Sequence, residues 1–217
     1  MSLALFDLDN TLIGGDSDYL WGEFLCEIGA VDAAKYHEKN KYFYEQYCLG
    51  RLDIYAYSKF SMEPLSEYTM DELSDLHKQF LQKKIEPLLL PKAESVINIH
   101  KDKEDTLVVI TASNSFVTAP IVDMLGIDNL ISTELEIISG SYSGNVLGTP
   151  CYKNGKVEKL QSWLKLSDES MENSTFYSDS RNDLPLLELV TKPVAVNPDK
   201  ELMRIATDNG WPILDWR

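Results

Sequence analysis

An apolar run near the N-terminus ends in closely spaced carboxylates, and the stretch Leu3-Ala4-Leu5-Phe6-Asp7-Leu8-Asp9-Asn10-Thr11-Leu12 decides the fold. Successive side chains of a strand point to opposite faces, so we expect Asp7 and Asp9 on the same side where this strand ends. Two carboxylates held so close repel each other unless a cation lies between them or one keeps its proton. A divalent cation with oxygen ligands, Mg²⁺ above all, meets that requirement. The alternative is an acidic corner between strand and loop, with Asn10 as a turn residue.

Composition limits the possible partners. The chain has 217 residues, 44% of them hydrophobic, and a net charge of −15. This indicates a packed core in one large domain or in one domain with a smaller insert, and the negative field disfavours nucleic acid and anionic membranes as partners. No apolar run approaches the roughly 20 residues of a membrane span, and no leader pattern is present. Cys26, Cys48 and Cys151 are scattered and odd in number, which favours a cytoplasmic protein with reduced thiols.

The character of the sequence changes after Gly14-Gly15. Over residues 16–86 the apolar positions recur at helical spacing, and candidate caps at Asp32, Asp53 and Thr69 separate them into four helices. Four helices joined by short loops predict a small bundle. We therefore divide the chain into a helical cap, residues 15–86, and an α/β core formed by residues 1–14 and 87–217.

Strands and helices alternate in the second part of the chain. A parallel sheet with helices on both faces, in a doubly wound and Rossmann-like arrangement, follows from that alternation. The expected helices cover residues 93–100, 115–125, 155–166 and 199–209. The expected strands cover residues 106–110, 130–138, 174–178 and 194–196, with a turn over 139–144 and a short strand after it.

Three further segments place reactive side chains just past predicted strands. Thr111, Ala112 and Ser113 precede a helix, where hydroxyls and helix-start amides can hold a phosphoryl group. Lys156 opens a helix, a position that the dipole disfavours for a lysine. Residues 178–185 contain two carboxylates four positions apart. Each segment also has a simpler interpretation, as a helix cap, a solvated lysine and a surface loop respectively.

Together, the strand ends supply Asp-x-Asp-x-Thr, a Thr, a Lys and Asp-x-x-x-Asp, in that order. This set resembles the haloacid dehalogenase-like superfamily of phosphohydrolases over essentially the whole chain. Within it, the insert position resembles the phosphoserine-phosphatase-like branch, subfamily IB. Three stretches are similar to a histidinol-phosphatase-like subset: Asp16-Ser17-Asp18-Tyr19-Leu20-Trp21, Val196-Asn197-Pro198-Asp199 and Gly210-Trp211-Pro212.

The resemblance implies a role for each motif residue. Asp7 would be the nucleophile that forms an aspartyl-phosphate, and Asp9 the general acid and base. Lys156 and Thr111 would neutralise and hold the phosphoryl group. The implied metal is Mg²⁺, with Asp7, Asp9 (through its backbone carbonyl), Asp179 and, in a supporting position, Asp183 at its site. The implied substrate-binding residues are Thr11, Asp16, Ala112, Ser113 and Asn182.

The substrate is expected to be a small phosphorylated metabolite, bound by a monomer or homodimer. Phosphoserine phosphatases carry a Glu where this chain has Asp16, and an Arg that grips the substrate carboxylate where it has Ser61. The nearest cations, Lys59 and Arg51, replace that clamp poorly. An amino-alcohol phosphate such as histidinol phosphate is therefore favoured. Phosphoserine phosphatase activity and a non-catalytic phospho-ligand or protein-binding module are the alternatives.

Other residues are given structural roles. Asp18 and Glu23 are interpreted as a solvated helix face, although they would also suit an ammonium-bearing substrate. The three histidines receive no catalytic role, and Trp211 and Trp216 are expected to pin the C-terminal tail to the sheet. The aromatic residues of the helical segment are interpreted as bundle core with about two facing a substrate: Tyr36, Tyr42, Phe43, Tyr44, Tyr47, Tyr55, Tyr57 and Phe60.

Overall fold

A computed structural model describes residues 2–217, and a parallel sheet organises them. The strands of the described range are β1 (Leu3–Phe6), β2 (Thr106–Asn114), β3 (Asn129–Thr133), β4 (Leu135–Ile138), β5 (Ser141–Val146), β6 (Thr175–Ser178), β7 (Lys192–Val196) and β8 (Ile213–Leu214). Six of them form one sheet in the order β3-β2-β1-β6-β7-β8, all parallel, while β4 and β5 form a separate antiparallel pair. The predicted doubly wound α/β fold is confirmed.

Helices occupy the long connection after β1 and both faces of the sheet. The helices are α1 (Ser17–Glu27), α2 (Ala33–Cys48), α3 (Ile54–Met62), α4 (Met70–Phe80), α5 (Pro91–Asp102), α6 (Ser115–Met124), α7 (Asn154–Leu164), α8 (Leu184–Leu187) and α9 (Lys200–Asn209). None of the helices in residues 2–217 combines the length and the apolarity that crossing a membrane requires.

The sheet separates two hydrophobic cores, because alternate strand residues point to opposite faces. In β1, Ala4 and Phe6 enter one core with α5 and α6. Leu3 and Leu5 enter the other, with α7, α8 and α9. Both faces are covered, which explains why the strands read as continuous apolar runs. The carboxyl ends of the strands thus remain the place where polar side chains can gather.

The predicted helix starts in the connecting segment are confirmed. Asp32 accepts a hydrogen bond from the Lys35 N–H at the start of α2, and Asp53 caps α3 in the same way. Thr69 and Glu72 form a reciprocal capping box at the start of α4. After α4 the chain continues in π-helical and 3₁₀ turns as far as Leu88. The division of the chain into a cap of residues 15–86 and a core stays a prediction.

The single strand expected over residues 130–138 is wrong. The chain leaves the parallel sheet after Thr133, whose hydroxyl donates to the Ala112 carbonyl at 2.8 Å. Residues 135–138 then pair with β5, and β5 packs against α3. The turn is also shorter than expected, because positive φ angles at Ser139 and Gly140 reverse the chain within two residues. The residue pattern of this segment gave no indication that it contributes to two sheets.

The C-terminal tail is attached to the sheet, as expected. Residues 213–214 form β8, an edge strand that the sequence did not reveal, beside β7. Trp216 is buried, and its ring centroid lies 5.5 Å from that of Tyr177 in β6. Trp211 packs against the core that contains α9.

Candidate active site

Asp7 and Asp9 follow β1, which lies between β2 and β6 in the middle of the sheet. The Asp7 N–H donates to the Tyr177 carbonyl at 2.9 Å, so the β1–β6 pairing extends to this residue. Asn10 then turns the chain with a φ of +56°, and Asn197 donates to its carbonyl at 3.0 Å. Asp7 is 3% and Asp9 8% exposed. The turn therefore holds both carboxylates, nearly buried, at the end of the sheet where ligands bind.

Lys156 lies between two carboxylates. Its Nζ donates to Asp7 Oδ1 at 2.8 Å and to a carboxylate oxygen of Asp183 at 2.8 Å, with the lysine only 2% exposed. Burial lowers the pKa of Lys156, but the carboxylates of Asp183 and Asp7 outweigh it and hold that pKa above its ordinary value. The lysine is therefore a fixed positive charge, and the solvated alternative is excluded.

The start of α7 positions this lysine through a tight backbone contact. A Cβ on Gly155 would lie 2.0 Å from the Pro150 carbonyl oxygen, so only glycine fits there. The preceding Lys153 has a φ of +52°, and its Nζ donates to the Gly50 carbonyl at 2.8 Å. The loop before α7 is thereby anchored both to the core and to the helical segment.

Asp9 is held by two donors. One carboxylate oxygen accepts from the Ser17 N–H at 2.6 Å, and the other accepts from Ser113 Oγ at 2.7 Å. Burial nevertheless raises the pKa of Asp9 above its ordinary value. A buried, oriented carboxyl whose proton is retained more strongly than usual suits a general acid. The same bonds turn its two side-chain oxygens toward Ser17 and Ser113.

Asp7 and Asp179 are the carboxylates left for a cation. Burial, together with repulsion by Asp183 and Asp9, raises the pKa of Asp7 to about 7 in spite of Lys156. Burial and then repulsion by Asp7 raise the pKa of Asp179 well above its usual range, and Thr11 donates to it at 3.4 Å. Several carboxylates thus lie close together beside a single lysine, Lys156.

The carboxylate oxygens of Asp7 and Asp179 are of the ligand type that Mg²⁺ prefers. No three His, Cys, Asp or Glu side chains within residues 2–217 are arranged as a ready metal cage. The side-chain oxygens of Asp9 and Asp183 are engaged by Ser17, Ser113 and Lys156, and the expected places of these two residues at the metal site stay predictions. Two carboxylates suffice for Mg²⁺, which keeps several waters in protein sites. The metal-binding role of Asp7 and Asp179 stays a prediction.

The remaining motif residues take different positions. Asp183 accepts from Ser178 Oγ at 2.6 Å as well as from Lys156, which makes it an orienting partner of the lysine. Thr111, Ala112 and Ser113 line the cleft beside the two carboxylates, as expected. Their roles in catalysis and substrate binding stay predictions.

Asn182 lies where the helical segment meets the α/β part of the chain. Its Nδ2 donates to the Tyr47 carbonyl at 3.2 Å, and its Oδ1 accepts from the Tyr152 hydroxyl at 3.3 Å. Both ends of the amide are thus engaged by protein groups. The structure gives Asn182 a contact between the two parts of the chain, and its predicted substrate-binding role stays untested.

A cleft opens above Asp7 and Asp9, and aromatic side chains form much of its wall. The interpretation of the aromatic stretch as bundle core holds in part, since Phe43 and Tyr57 pack against the core that contains Tyr36 and Phe60. Only Tyr36 and Phe60 are buried, whereas Tyr42 and Tyr55 are exposed. Helical spacing did not show which positions face the core, because a helix beside a cleft has two partly covered sides. The aromatic residues that line the cleft are Tyr19, Phe43, Tyr44, Tyr47 and Tyr57.

Acidic groups accompany these aromatic rings in the cleft lining, and none of the lining residues found within residues 2–217 is a lysine or an arginine. Asp16 caps α1 by accepting from the Tyr19 N–H at 2.8 Å, and burial and then the Asp9 charge raise the pKa of Asp16 to about 8. Arg51 and Lys59 are exposed and do not line the cleft. A bound cation would favour the ionised form of these carboxyls.

The solvated-face interpretation is wrong for Asp18. Its carboxylate is 7% exposed and accepts from Asn114 Nδ2 at 2.8 Å. The sequence did not reveal that Asn114 donates to Asp18 and that the Ser17 N–H donates to Asp9. Glu23 is partly exposed and pairs with His37 at 3.0 Å. The other histidines have structural partners: His77 bonds to the Val117 carbonyl, and His100 to Asp105 and Tyr177.

Comparison with known proteins identifies the family. The model of the haloacid dehalogenase-like hydrolases matches residues 4–188. The chain belongs to this family. A histidinol-phosphatase of Neisseria meningitidis serogroup C is 44% identical over 220 aligned positions, which cover 100% of this chain and 99% of that protein.

Two solved structures have the same architecture. A protein of unknown function from Bordetella pertussis superposes with a TM-score of 0.94 and is 40% identical, with coverage of 100% of this chain and 99% of that one. A substrate-bound phosphoserine phosphatase superposes with a TM-score of 0.72 at 18% identity, over 100% of this chain and 93% of that one, which supports the fold alone. The comparisons confirm the predicted enzyme class, a phosphomonoesterase of this family.

Proposed function

We propose that this haloacid dehalogenase-like phosphatase hydrolyses histidinol phosphate or a similar amino-alcohol phosphate, with Asp7 as nucleophile and Mg²⁺ as cofactor. The observation that carries the proposal is the arrangement of Asp7 beside the fixed charge of Lys156, with the oriented acid Asp9 two residues further. A module that only binds a phosphorylated ligand has no use for an acid and base at Asp9.

Each residue has a defined step in this reaction. A carboxylate oxygen of Asp7 forms a bond to phosphorus while the bond between phosphorus and the alcohol oxygen breaks, and Asp9 gives its proton to that oxygen. Asp9, now ionised, takes a proton from a water molecule whose oxygen bonds to phosphorus. The bond between phosphorus and Asp7 then breaks, which releases inorganic phosphate and restores both carboxyl groups.

Lys156 and the metal balance charge during these steps. Lys156 keeps a positive charge beside Asp7 and the developing phosphoryl charge. Asp7, Asp179 and the Asp9 backbone carbonyl would hold Mg²⁺, which supplies further positive charge next to the phosphoryl oxygens. Thr111 and the N–H groups at the start of α6 would hold the remaining phosphoryl oxygens.

Removal of the metal is expected to abolish phosphatase activity. Excess chelator should reduce the hydrolysis of p-nitrophenyl phosphate to background, and added Mg²⁺ should restore it, because the buried carboxylates otherwise repel the substrate. Ca²⁺ should inhibit, since its larger and looser coordination shell misplaces the nucleophile. Initial rates at fixed substrate and increasing metal concentration measure both effects. Full activity in excess chelator would contradict the metal role.

The cleft favours a substrate that carries an ammonium group. A phosphoserine carboxylate would enter a cleft without lysine or arginine in its wall and would lie near Asp16 and Asp18. Burying a carboxylate without a partner is costly, and two like charges add to that cost. An amino-alcohol phosphate avoids both penalties, and its ammonium can pair with Asp16. The histidinol-phosphatase from Neisseria, matched along its length, supports the same choice.

Histidinol phosphate is accordingly expected to exceed phosphoserine in kcat/KM by about tenfold or more. Asp16→Ala should narrow that difference, because the variant loses the partner of the ammonium and the repulsion of the carboxylate together. Steady-state kinetics on both substrates test this, with Asp32→Ala as a control in an exposed N-cap of the same type. A preference for phosphoserine that Lys59→Ala or Arg51→Ala weakens would favour phosphoserine phosphatase activity.

A further inference from the structure

We propose that Asp18 is a second specificity-determining residue, which accepts a hydrogen bond from the ring N–H of a substrate that carries a heteroaromatic ring beside its ammonium group. The inference rests on the proposed function and assigns the part of the cleft that Asp16 does not explain. It concerns the organic part of the substrate, while the phosphoryl group stays with Asp7 and Lys156.

The helix after β2 fixes the Asp18 carboxylate. Asn114 caps α6, and its Oδ1 accepts from the Val117 N–H at 3.0 Å. The amide of Asn114 must therefore present its Nδ2 to the other side, where it donates to Asp18 Oδ1 at 2.8 Å. Asp18 itself lies in the first turn of α1. Two helix starts that are distant in sequence thus hold this carboxylate in one orientation at the cleft.

Asp18 forms no ion pair within residues 2–217, although it is 93% buried. A buried carboxylate near the carboxylates of Asp16 and Asp9, with no cation beside it, is unfavourable for folding. It lines the same cleft as Asp7 and Asp9, so a ligand can reach it. The group that complements it is a donor or a cation that the substrate brings.

The aromatic wall defines the shape of that group. Phe43 and Tyr57 pack edge to face with ring centroids 5.5 Å apart, and Tyr19 and Tyr44 form a second pair at 5.0 Å. All four line the cleft. Aromatic faces attract planar and positively charged groups. A small ring with an N–H, such as imidazole, can pack against the aromatic wall and donate to Asp18 at the same time. An aliphatic amine can pair only with the acidic groups.

Kinetics on two phosphate esters test the assignment. Histidinol phosphate carries an ammonium and a ring, and phosphoethanolamine carries an ammonium without a ring. Asp18→Asn should lower the ratio of their kcat/KM values by about tenfold or more, mainly through KM for histidinol phosphate. Phe43→Leu should lower the same ratio, because it removes an aromatic ring from the cleft wall that would contact the substrate ring. Asp71→Asn, which changes an exposed carboxylate on α4, should leave the ratio unchanged.

If Asp18→Asn and Phe43→Leu each lower kcat/KM by the same factor for both substrates, the proposal is overturned and Asp18 has a structural role.

If the wild type does not hydrolyse histidinol phosphate, the proposed function fails, and the ring site is then tested separately. Histamine, which has the ring and the ammonium without phosphate, should inhibit p-nitrophenyl phosphate hydrolysis by the wild type. Asp18→Asn should raise its inhibition constant by about tenfold. An unchanged constant would overturn the assignment of Asp18.

Discussion

Asp7→Asn is expected to abolish turnover while the protein stays folded. The amide has nearly the shape of the carboxylate and can still accept from Lys156, but it is not a nucleophile, so kcat should fall by at least about a thousandfold. Hydrolysis of p-nitrophenyl phosphate with Mg²⁺ measures the loss, and the thermal unfolding midpoint reports the fold. The variant also loses a negative charge from an overcrowded site, so its midpoint should not fall.

The covalent intermediate gives this prediction a second measurement. Rapid acid quenching during turnover, followed by peptide mass spectrometry, should locate a phosphoryl group on Asp7 in the wild type. Asp9→Asn should prolong the lifetime of the intermediate, because the water that hydrolyses it then has no base. A phosphoryl group on any other residue, or substantial turnover by Asp7→Asn, would refute the mechanism.

Lys156→Met is expected to affect both stability and activity. The substitution leaves the buried carboxylates of Asp7 and Asp183 without their shared cation, and breaking such a pair costs about 3–5 kcal/mol of unfolding free energy. Loss of the charge beside the phosphoryl group should lower kcat by about a hundredfold or more. Urea unfolding and steady-state kinetics measure the two effects at neutral pH.

A second substitution separates the two effects of Lys156→Met. Asp183→Asn in the same chain removes one of the uncompensated charges, so the double variant should recover part of the stability but none of the activity. Lys165→Met provides the control, since Lys165 is an exposed lysine at the end of the same helix. If Lys156→Met is as stable and as active as the wild type, Lys156 contributes neither to stability nor to catalysis.

The motif positions were predictable because they depend on local structure. Asp7 and Asp9 follow a strand whose apolar run is unmistakable, and Gly155-Lys156 opens a helix at the expected place. Parallel strands with helices on both faces bring such strand ends to one edge of the sheet. The family resemblance, now confirmed, then supplied their expected roles.

The walls of the cleft could not be predicted, because they depend on contacts between distant segments. Asp18 accepts a hydrogen bond from Asn114, which lies 96 positions further along the chain. The engagement of Asp9 by Ser113 spans 104 positions. Helical periodicity also could not distinguish Tyr57, which faces the cleft, from the exposed Tyr55 two positions earlier. Secondary structure alone carries no information on how the helical segment lies over the sheet.

The contact between the helical segment and the α/β part has a consequence for how the cleft can change in evolution. Lys153 and Asn182 donate to the backbone carbonyls of Gly50 and Tyr47, respectively. Both acceptors belong to the main chain, so these two hydrogen bonds do not depend on which side chains occupy positions 47 and 50. The rings and carboxylates of the wall can therefore diverge toward new substrates while these two hydrogen bonds between the helical segment and the α/β part are kept.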